Sequence, residues 1–468
     1  MKNTLLLILA FTFCYLQGQS FDDKAGFVHY KHITGLTYEA SIVTYTKISS
    51  PVDRNALTIA WGDGSSETVT RTNQEVVEID LKKNTYTKRH TYTNHGVYTI
   101  SMEDSTRTQG ILNINGGNSG GFPFYIESQL VIPNLGDYNN SIELLNHPIL
   151  TATLGQVFSY TPTAYDKDGD ILYFALVTPM VNSNNAISGY QAVTDIGPGA
   201  NNQFSFDAKT GNFRWNSPQQ IGLYTITLRI SECRNGKMVG TTLVDYQIRV
   251  VNNLNSPLYS TLNATSNDTI APNDTIQISF GYGDTQADSI HLMAFSEGFL
   301  NGNTAVFDND SVSMGYLGKT FQWITDSLAA RCAPYIITLR GTSFLSNEKF
   351  SFDRTYLYYI RDVNTVYCDT VCNGFTKIDL IKKMPTLSIQ IAPNPFRTQT
   401  TIQFLDHPNG DDYTFSLFNI WGQRVRYIPL IVEDKITINR NKLPAGVYIY
   451  KVERGLNETT TGKLMVTD

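Results

Sequence analysis

The sequence has few charged side chains and no run of charge of one sign. Asp, Glu, Lys and Arg make up 17% of its 468 residues, and the formal net charge is −6. Proteins that bind nucleic acid carry a basic patch or stripe that neutralises phosphates. Because the sequence has no such stretch, we do not expect nucleic acid as a partner.

Long apolar runs are also scarce. One lies at residues 5–16, after Lys2 and before the polar stretch "QGQS". A charged start, a short apolar run and a small-residue end are typical of a secretory signal peptide, and the run is too short to span a bilayer comfortably. The sequence therefore predicts a signal peptide over residues 1–18.

Cysteine is rare, with five residues in the chain. Cys14 falls in the predicted signal peptide, which leaves Cys233, Cys332, Cys368 and Cys372. An even number of cysteines in an exported chain favours disulfides. Three residues separate the last two cysteines, rather than the two of a redox or zinc pair, so a disulfide is a simpler interpretation there than a metal site.

Helical spacing of apolar residues is hard to find, whereas alternation with a period of two dominates. Residues 98–102, 224–230, 244–250 and 413–417 place apolar side chains at every second position, with polar residues between them. Clusters of Gly, Asn, Asp and Pro separate these segments. The pattern predicts an all-β protein of tandem immunoglobulin-like β-sandwich domains, closed by a small C-terminal β-sandwich.

Three loop-rich stretches, at residues 113–123, 250–257 and 382–395, divide the exported chain. They predict units at 19–120, 121–254, 255–384 and 385–468. The first two units end alike, with "GVYTISM" (96–102) and "GLYTITLRI" (222–230). We expect related sandwiches in both, and an unassigned β domain over 255–384.

The first unit contains "LTIAWGDGSSETV" (57–69) and "RHTYTNHGVYTI" (89–100). These stretches resemble the PKD domain, an immunoglobulin-like module of bacterial surface proteins. Glycines around a turn aspartate are an architectural device, so the resemblance implies a structural role for the motif. The matching residues are Trp61, Gly62, Asp63, Gly64, His90, Thr91, Tyr92, Gly96 and Tyr98.

The second unit contains "AYDKDGDIL" (164–172) and "FSFDAKTGNFRWNSPQQIGLYTITLRI" (204–230). Their order resembles the cadherin-like, immunoglobulin-like domains of bacterial extracellular proteins. The resemblance implies a β-sandwich with Phe206, Phe213 and Trp215 as core aromatics rather than as a sugar platform.

Asp166, Asp168 and Asp170 surround Gly169 at an expected strand end. An EF-hand is excluded, because its loop needs Gly at the sixth and Glu at the twelfth position. Calcium takes six or more oxygen ligands, which three carboxylates with backbone carbonyls and water can supply. In cadherin-like domains such aspartates stiffen a junction, so the resemblance favours calcium here. The alternative is a plain turn made by Asp and Gly.

The last unit contains "IAPNPFRTQTTIQF" (391–404), "FSLFNIWGQRV" (415–425), "LPAGVYIYKVERG" (443–455) and "GKLMV" (462–466). In order and position these stretches resemble the C-terminal sorting domain (type A) of the type IX secretion system of Bacteroidetes. The resemblance implies export across the outer membrane, then removal of the domain and release or tethering to surface lipopolysaccharide. A secreted or cell-surface location follows. The residues carried over are Pro393, Asn394, Pro395, Gly422, Gly446 and Lys463.

The expected function is non-enzymatic, because no catalytic constellation accompanies the exposed carboxylates at 166–170. We expect an adhesin or structural stalk whose first two units present the third to an unknown protein or glycan. One alternative is a carbohydrate-binding accessory protein of a polysaccharide-utilising system, which predicts Trp215 or Trp323 exposed on a flat face. Another is a hydrolase with an unfamiliar centre in 255–384, which needs convergent acids in a pocket.

Overall fold

The structure is a computed structural model. It describes residues 23–468 apart from 51–52, 79, 135, 198, 200, 253–257, 264–268, 301, 309, 313–314, 346–347, 362–388, 405–412, 420–422, 432–434, 442 and 455–457. The predicted signal peptide, Cys368, Cys372 and Gly422 therefore lie outside the described residues. The chain forms two compact units, Met1–Gly374 and Phe375–Asp468.

The N-terminal unit is built of strands, which confirms the predicted all-β fold. Four short 3-10 helices, at Asn115–Gly117, Val193–Asp195, Glu297–Phe299 and Ser327–Ala329, are the helices among the residues described. The strands are β1 Asp23–Thr34, β2 Thr37–Thr46, β3 Ala56–Ala60, β4 Ser66–Thr70, β5 Asn73–Glu78, β6 Leu81–Thr91, β7 Gly96–Asp104, β8 Phe124–Ile132, β9 Glu143–Leu144, β10 Thr151–Thr153, β11 Phe158–Tyr160, β12 Ala164–Tyr165, β13 Ile171–Val177, β14 Met180–Asn182, β15 Asn185–Ala186, β16 Gln203–Phe206, β17 Phe213–Asn216, β18 Gly222–Arg234, β19 Lys237–Val251, β20 Leu258–Asn263, β21 Thr269–Ile270, β22 Thr275–Asp284, β23 Ser289–Phe295, β24 Asp310–Val312, β25 Gly315–Ile324, β26 Tyr335–Leu345 and β27 Glu348–Ile360.

The largest sheet runs in the order β4-β3-β7-β8-β19-β1-β2-β6-β5, with β10 and β18 beside β19 and β13 beside β18. Strand β7 pairs antiparallel with β8, where Tyr98 lies opposite Leu130. Strand β19 pairs with β1, where Ala25 lies opposite Tyr246. Strands on both sides of residue 120 thus share one sheet, and the division of the chain there stays a prediction.

Each sandwich has a core around one buried tryptophan: Trp61 in the first, Trp215 in the second and Trp323 in the third. Successive side chains of a strand point to opposite faces. On β1, Phe27 therefore enters the Trp215 core while Val28 enters the Trp61 core. Burial on both faces of β1 joins the first two sandwiches.

The third sandwich packs the sheet β20-β22-β25 against the sheet β21-β27-β26-β23-β24. Ile336 and Leu357, on its strands β26 and β27, pack into the Trp215 core of the second sandwich. Three smaller sheets, β11-β17-β16, β12-β9 and β14-β15, complete the unit. Cys233 and Cys332 are each disulfide-bonded.

A buried ion pair between β26 and β27 of the third sandwich also contacts the second sandwich. The Arg340 guanidinium donates to Asp353, with Nε–Oδ1 at 2.7 Å and Nη2–Oδ2 at 2.9 Å, and both residues are 1% exposed. Asp353 also accepts from the Thr161 amide at 3.1 Å, and Arg340 donates to the His147 carbonyl at 2.8 Å. Removal of either residue leaves a buried charge without its partner and destabilises the folded protein.

The C-terminal unit has two sheets, β28-β29-β32 and β31-β30-β33-β34, around a core that includes Tyr413, Phe415 and Leu464. The small C-terminal β-sandwich expected from the sequence is therefore present. Its strands are β28 Ile389–Ala392, β29 Gln399–Phe404, β30 Tyr413–Phe418, β31 Arg424–Ile431, β32 Lys435–Asn439, β33 Gly446–Arg454 and β34 Glu458–Val466.

Candidate metal centre

The aspartates of "DKDGD" lie in the turn between β12 and β13. Gly169 adopts a φ of +79°, which favours glycine, and its amide donates to the Asp166 carbonyl at 3.2 Å. The Asp170 amide donates to Asp166 Oδ1 at 2.9 Å. The turn brings the side chains of Asp166, Asp168 and Asp170 together, with one ligand atom of each within 4.8 Å of the others.

Arg234, at the end of β18, lies against two of these carboxylates. Its Nε and Nη2 donate to Oδ1 and Oδ2 of Asp170, both at 2.7 Å, and Nη2 also donates to Asp168 Oδ2 at 3.0 Å. The pairing of Ile171 with Cys233 places Asp170 beside Arg234. Burial disfavours the charged guanidinium, but Asp170 and Asp168 outweigh it and raise the pKa of Arg234. A fixed cation therefore neutralises part of the cluster.

Glu232 adds a fourth carboxyl group beneath the turn. It is fully buried, and it is hydrogen-bonded to Asp166, which is 5% exposed. Asp170 is 4% exposed, so the expectation of exposed carboxylates is wrong for Asp166 and Asp170, which the turn packs against β18. Burial, followed by the charge of Asp170, raises the pKa of Asp166 to about 7, and burial, followed by the charge of Asp166, raises the pKa of Glu232 well above its usual range. No fixed donor reaches Asp166 Oδ2 or Glu232 Oε2. A hydrogen bond between Asp166 and Glu232 requires one of the two carboxyl groups to carry a proton, because a carboxylate only accepts.

The cluster lies where the first two sandwiches meet. The segment after β8 crosses it: Asn140 donates through its amide nitrogen and side chain to Asp168, at 2.7 and 2.8 Å, and Asn139 donates to Glu232 at 3.3 Å. Asn140 Oδ1 in turn accepts from the His32 amide of β1 at 2.9 Å. The carboxylates therefore hold the connecting segment against both sandwiches.

Calcium fits this donor set only in part. All the ligands are oxygens, as calcium requires, and Asp166 Oδ2 and Glu232 Oε2 are buried acceptors without a fixed donor. Arg234, however, occupies both oxygens of Asp170 and one of Asp168. A calcium ion has to displace this guanidinium to bind all three aspartates.

Glu232 and Arg234 lie outside the set of residues predicted from the sequence to form this cluster. A usable signal was the inward face of β18, where Ile226, Leu228 and Ile230 alternate toward the core and Glu232 continues the same alternation. A carboxylate at an inward position needs a partner or a proton.

The motif residues of the first sandwich form one packed group. The His90 ring stacks on Trp61, with centroids 4.6 Å apart, and His90 Nε2 lies 2.7 Å from Asp63 Oδ2. Ser65 donates to Asp63 Oδ1 through its amide at 2.9 Å and its hydroxyl at 2.6 Å. Tyr92 donates to the Trp61 carbonyl at 3.0 Å. These contacts hold the turn that follows β3.

Three Gly-x-Tyr segments begin the strands β7, β18 and β33. In each, the tyrosine hydroxyl donates to the carbonyl four residues earlier at 2.8 Å, from Tyr98 to Asn94, Tyr224 to Gln220 and Tyr448 to Pro444. Such a tyrosine corner is a recurrent feature of immunoglobulin-like sandwiches. The first two segments were recognised as alike from the sequence, and the third was not.

The indoles on which the carbohydrate alternative depends are buried. Trp215 is fully buried and Trp323 is 1% exposed. A cavity of about 280 Å³ between the second and third sandwiches is lined by residues that include Thr151, Phe158, Tyr282 and Phe352. Its lining contains no carboxylate, histidine, cysteine, lysine or arginine. This cavity therefore lacks the acids that a hydrolytic centre needs.

The expectation that the sequence lacks a Gly-x-Ser-x-Gly pattern is wrong, because residues 117–121 match it and place Ser119 in a loop. Its side chain is fully buried, donates to the Thr108 carbonyl at 2.6 Å and accepts from the Ile111 amide at 3.0 Å. A nucleophilic serine of this pattern lies exposed on a strand-to-helix turn. Ser119 instead holds the loop together.

The carried-over residues of the C-terminal unit tie its first motif to its last strand. Asn394 donates to the Lys463 carbonyl and accepts from the Met465 amide, both at 2.8 Å. Pro393 and Pro395, on either side, follow cis peptide bonds. Gly446 begins β33 opposite Val466 of β34. The "PNP" segment thus depends on the end of the chain for its hydrogen bonds.

Comparison with solved structures finds tandem β-sandwich proteins at very low identity. A chimeric titin Z1Z2 tandem matches at 8% identity and a TM-score of 0.16, over 46% of this chain and 95% of that one. The fibronectin(III)-like modules of Clostridium thermocellum CbhA match at 9% and 0.16, over 49% and 98%. The CsuC–CsuE chaperone–tip adhesion subunit complex of Acinetobacter baumannii matches at 10% and 0.16, over 46% and 100%. Scores this low carry no argument about function.

The comparison with protein families concerns the end of the chain. No curated protein matches the sequence. Among the residues described, no helix is long and apolar enough to cross a membrane. Residues 390–467 match the secretion system C-terminal sorting domain. The C-terminal unit is therefore a type IX sorting domain, and the chain carries the signal for secretion or cell-surface export.

Proposed function

We propose that this is a non-enzymatic surface protein of a Bacteroidetes-type bacterium, an adhesin or structural stalk exported by the type IX machinery. The observation that carries the proposal is the sorting domain at 390–467, joined to three sandwiches that share buried contacts. The sorting domain is the export signal. The three sandwiches remain as the functional body.

Direct contacts between the three sandwiches support the proposal that the first two present the third to a ligand. Strand β1, buried on both faces, joins the first two sandwiches, and an ion pair between Lys349 and Glu78 joins the third to the first. The Arg340–Asp353 pair of the third sandwich is hydrogen-bonded to Thr161 and His147 of the second. A body joined in this way holds the third sandwich at a fixed position. We also propose that the first unit is a PKD-like domain and the second a cadherin-like domain. The exported protein is then released or tethered to surface lipopolysaccharide.

Calcium is the proposed ligand of Asp166, Asp168 and Asp170. Their oxygens lie at the first junction, and calcium at millimolar concentration outside the cell competes there with Arg234. Bound calcium stiffens a junction that Arg234 and Asn140 already hold.

Measurements of export and of adhesion together test the proposal. A full-length chain and a chain without residues 390–467 are expressed in a type IX-competent host, and external protease digestion and attachment of cells to coated surfaces are measured. We expect surface exposure and attachment with the full chain, and periplasmic retention without the sorting domain. Surface exposure with no gain in attachment to any coating would refute the adhesive role while leaving the export assignment intact.

A further inference from the structure

His147 lies where the three sandwiches meet. It belongs to the second sandwich, in the segment between β9 and β10. Its carbonyl oxygen accepts a hydrogen bond from Arg340 Nη1 of the third sandwich at 2.8 Å. Its ring meets the ring of Tyr45, on β2, edge to face, with the centroids 5.9 Å apart. The position of this residue therefore depends on strands that are far apart in the chain.

Charged side chains of the first and third sandwiches surround the ring. They are Glu75 and Glu78 of β5, Lys83 of β6 and Arg340 of β26. Glu75 pairs with Lys83 at 3.3 Å, and Glu78 pairs with Lys349 of β27. Arg340 pairs with Asp353 of the same strand. Both glutamates are therefore neutralised by lysines before the ring gains a proton.

One nitrogen of the ring is buried and has no hydrogen-bonding partner among the residues that the structure describes. This atom is Nδ1 of His147. In the neutral imidazole one nitrogen is an acceptor, whereas both nitrogens of the charged form are donors. A buried N–H group that carries charge and lacks an acceptor is costly. The folded protein therefore favours the neutral ring.

The surroundings of the ring oppose its protonation. Burial is the largest influence and lowers the pKa of His147 below its ordinary value of 6.5. The positive charges of Lys83 and Arg340 lower it further, against the opposite effect of the two glutamates of β5. A lowered folded-state pKa gives stability that is present above 6.5 and is lost as the pH falls toward the folded-state value. Mild acid therefore acts directly on the contacts of His147.

We propose that His147 is an acid-sensitive switch: the neutral ring keeps the third sandwich docked on the first two, and protonation of the ring loosens this contact. The charged ring attracts Glu78 away from Lys349, its partner in the third sandwich. The same charge repels Arg340, which donates to the His147 carbonyl. Both contacts weaken together. This inference goes beyond the proposed function, because it concerns the docking of the sandwiches rather than their ligand.

Two substitutions remove the titrating ring without removing the contacts of the backbone. His147→Phe keeps a ring against Tyr45, and His147→Asn keeps a polar side chain. Arg340 donates to the carbonyl oxygen of residue 147, so both variants retain this hydrogen bond. His95→Asn, at an exposed histidine of the first sandwich, is the matched control. Asp166, whose pKa of about 7 lies in the same range, is unchanged in all of these chains.

The test is hydrogen exchange of the purified full chain at about pH 8 and about pH 5, read by mass spectrometry and corrected for the intrinsic exchange rate at each pH. We expect the peptides that cover β5 and β26 to lose protection at the lower pH in the wild type and in His95→Asn. Both His147 variants should keep that protection. The urea midpoint should fall with pH in the wild type and should fall less in the two variants.

Two results overturn the inference. One is a wild type that keeps the protection of β5 and β26 at the lower pH. The other is a loss of protection that a correctly folded His147 variant shares in full. Neither result bears on surface display or on the attachment of cells to coated surfaces, so failure here is distinct from failure of the proposed function.

Discussion

Arg234 donates two hydrogen bonds to Asp170, from Nε to Oδ1 and from Nη2 to Oδ2, both 2.7 Å long. The same guanidinium reaches Asp168 at 3.0 Å and the Asn139 side-chain oxygen at 2.9 Å. A cluster that the sequence suggests as a metal site thus already contains a cation from the chain. The position of Arg234 at the junction of two sandwiches makes it the first residue to change.

Removal of Arg234 should destabilise the N-terminal unit. Arg234→Ala leaves Asp168 and Asp170 without their cation, and loss of one partner of a largely buried pair costs about 3 kcal/mol. Urea unfolding measures the change. Arg214→Ala, at an exposed arginine of the same sandwich, should stay within about 0.5 kcal/mol of the wild type. Equal curves for the two variants would mean that the ion pair contributes nothing to the junction.

Calcium should stabilise the protein, and more strongly when its competitor is gone. At about 100 times its dissociation constant, a ligand adds roughly 2 to 3 kcal/mol of stability. Thermal unfolding in EDTA and in millimolar calcium gives the calcium-dependent difference for each chain. We expect a larger difference in Arg234→Ala than in the wild type and none in Asp168→Ala. If calcium changes the unfolding of none of the three chains, "DKDGD" is a turn held by arginine.

The buried Arg340–Asp353 pair of the third sandwich, which also contacts the second sandwich, should be sensitive to single changes. Asp353→Ala leaves the Arg340 guanidinium uncompensated in a site where both residues are 1% exposed, at a cost of about 3 to 5 kcal/mol. The double change Arg340→Met with Asp353→Leu removes both charges and should cost less than the single one. Chemical denaturation of the full chain compares them. A double variant less stable than Asp353→Ala would contradict this account.

Low pH should weaken the turn of the first sandwich through Asp63. Burial acts to raise the pKa of Asp63, but hydrogen bonds from Ser65 and His90 outweigh it and lower the pKa to about 2. A lowered folded-state pKa gives stability that is present above the ordinary value of 3.8 and is lost as the pH falls toward 2. Because this carboxylate is exposed, we expect only about 1 kcal/mol of this loss.

The variant Asp63→Asn isolates that effect. Its free energy of unfolding between pH 2 and 4 should fall less steeply than that of the wild type, because the amide does not titrate. Parallel curves for the two chains would show that other carboxylates account for the whole pH dependence.

The sorting domain should depend on the Asn394 side chain. Asn394→Asp removes the donor to the Lys463 carbonyl and places a carboxylate beside it, which should cost about 1 to 2 kcal/mol. Less of the tagged protein should reach the cell surface, so protease added outside the cells should digest less of it. Gln399→Glu, an amide-to-carboxylate change at an exposed position of β29, is the control. Normal export of Asn394→Asp would separate sorting from this contact.

Local patterns predicted much of the architecture. Alternation at period two identified the strands containing Tyr224–Ile230 and Tyr413–Leu417. In the first of them the polar residues Thr225 and Thr227 are also fully buried, so the alternation gave the strand but not the cover on its second face. The turn at Gly169 and the sorting motif at "PNP" were equally visible, since Gly permits the positive φ of a turn and Pro fixes φ locally. The third Gly-x-Tyr segment, at Tyr448, carried the same signal and needed only to be compared with the first two.

The sequence by itself determined the strands, the turns and the export signal, because each depends on residues close together in the chain. Only the tertiary structure decided that Arg234 lies on Asp170, that Phe27 and Val28 enter different cores, and that His147 contacts Arg340. These contacts join residues that strand pairing brings together across long stretches of chain. Pairing partners are chosen by the packing of whole sheets, which no short pattern records.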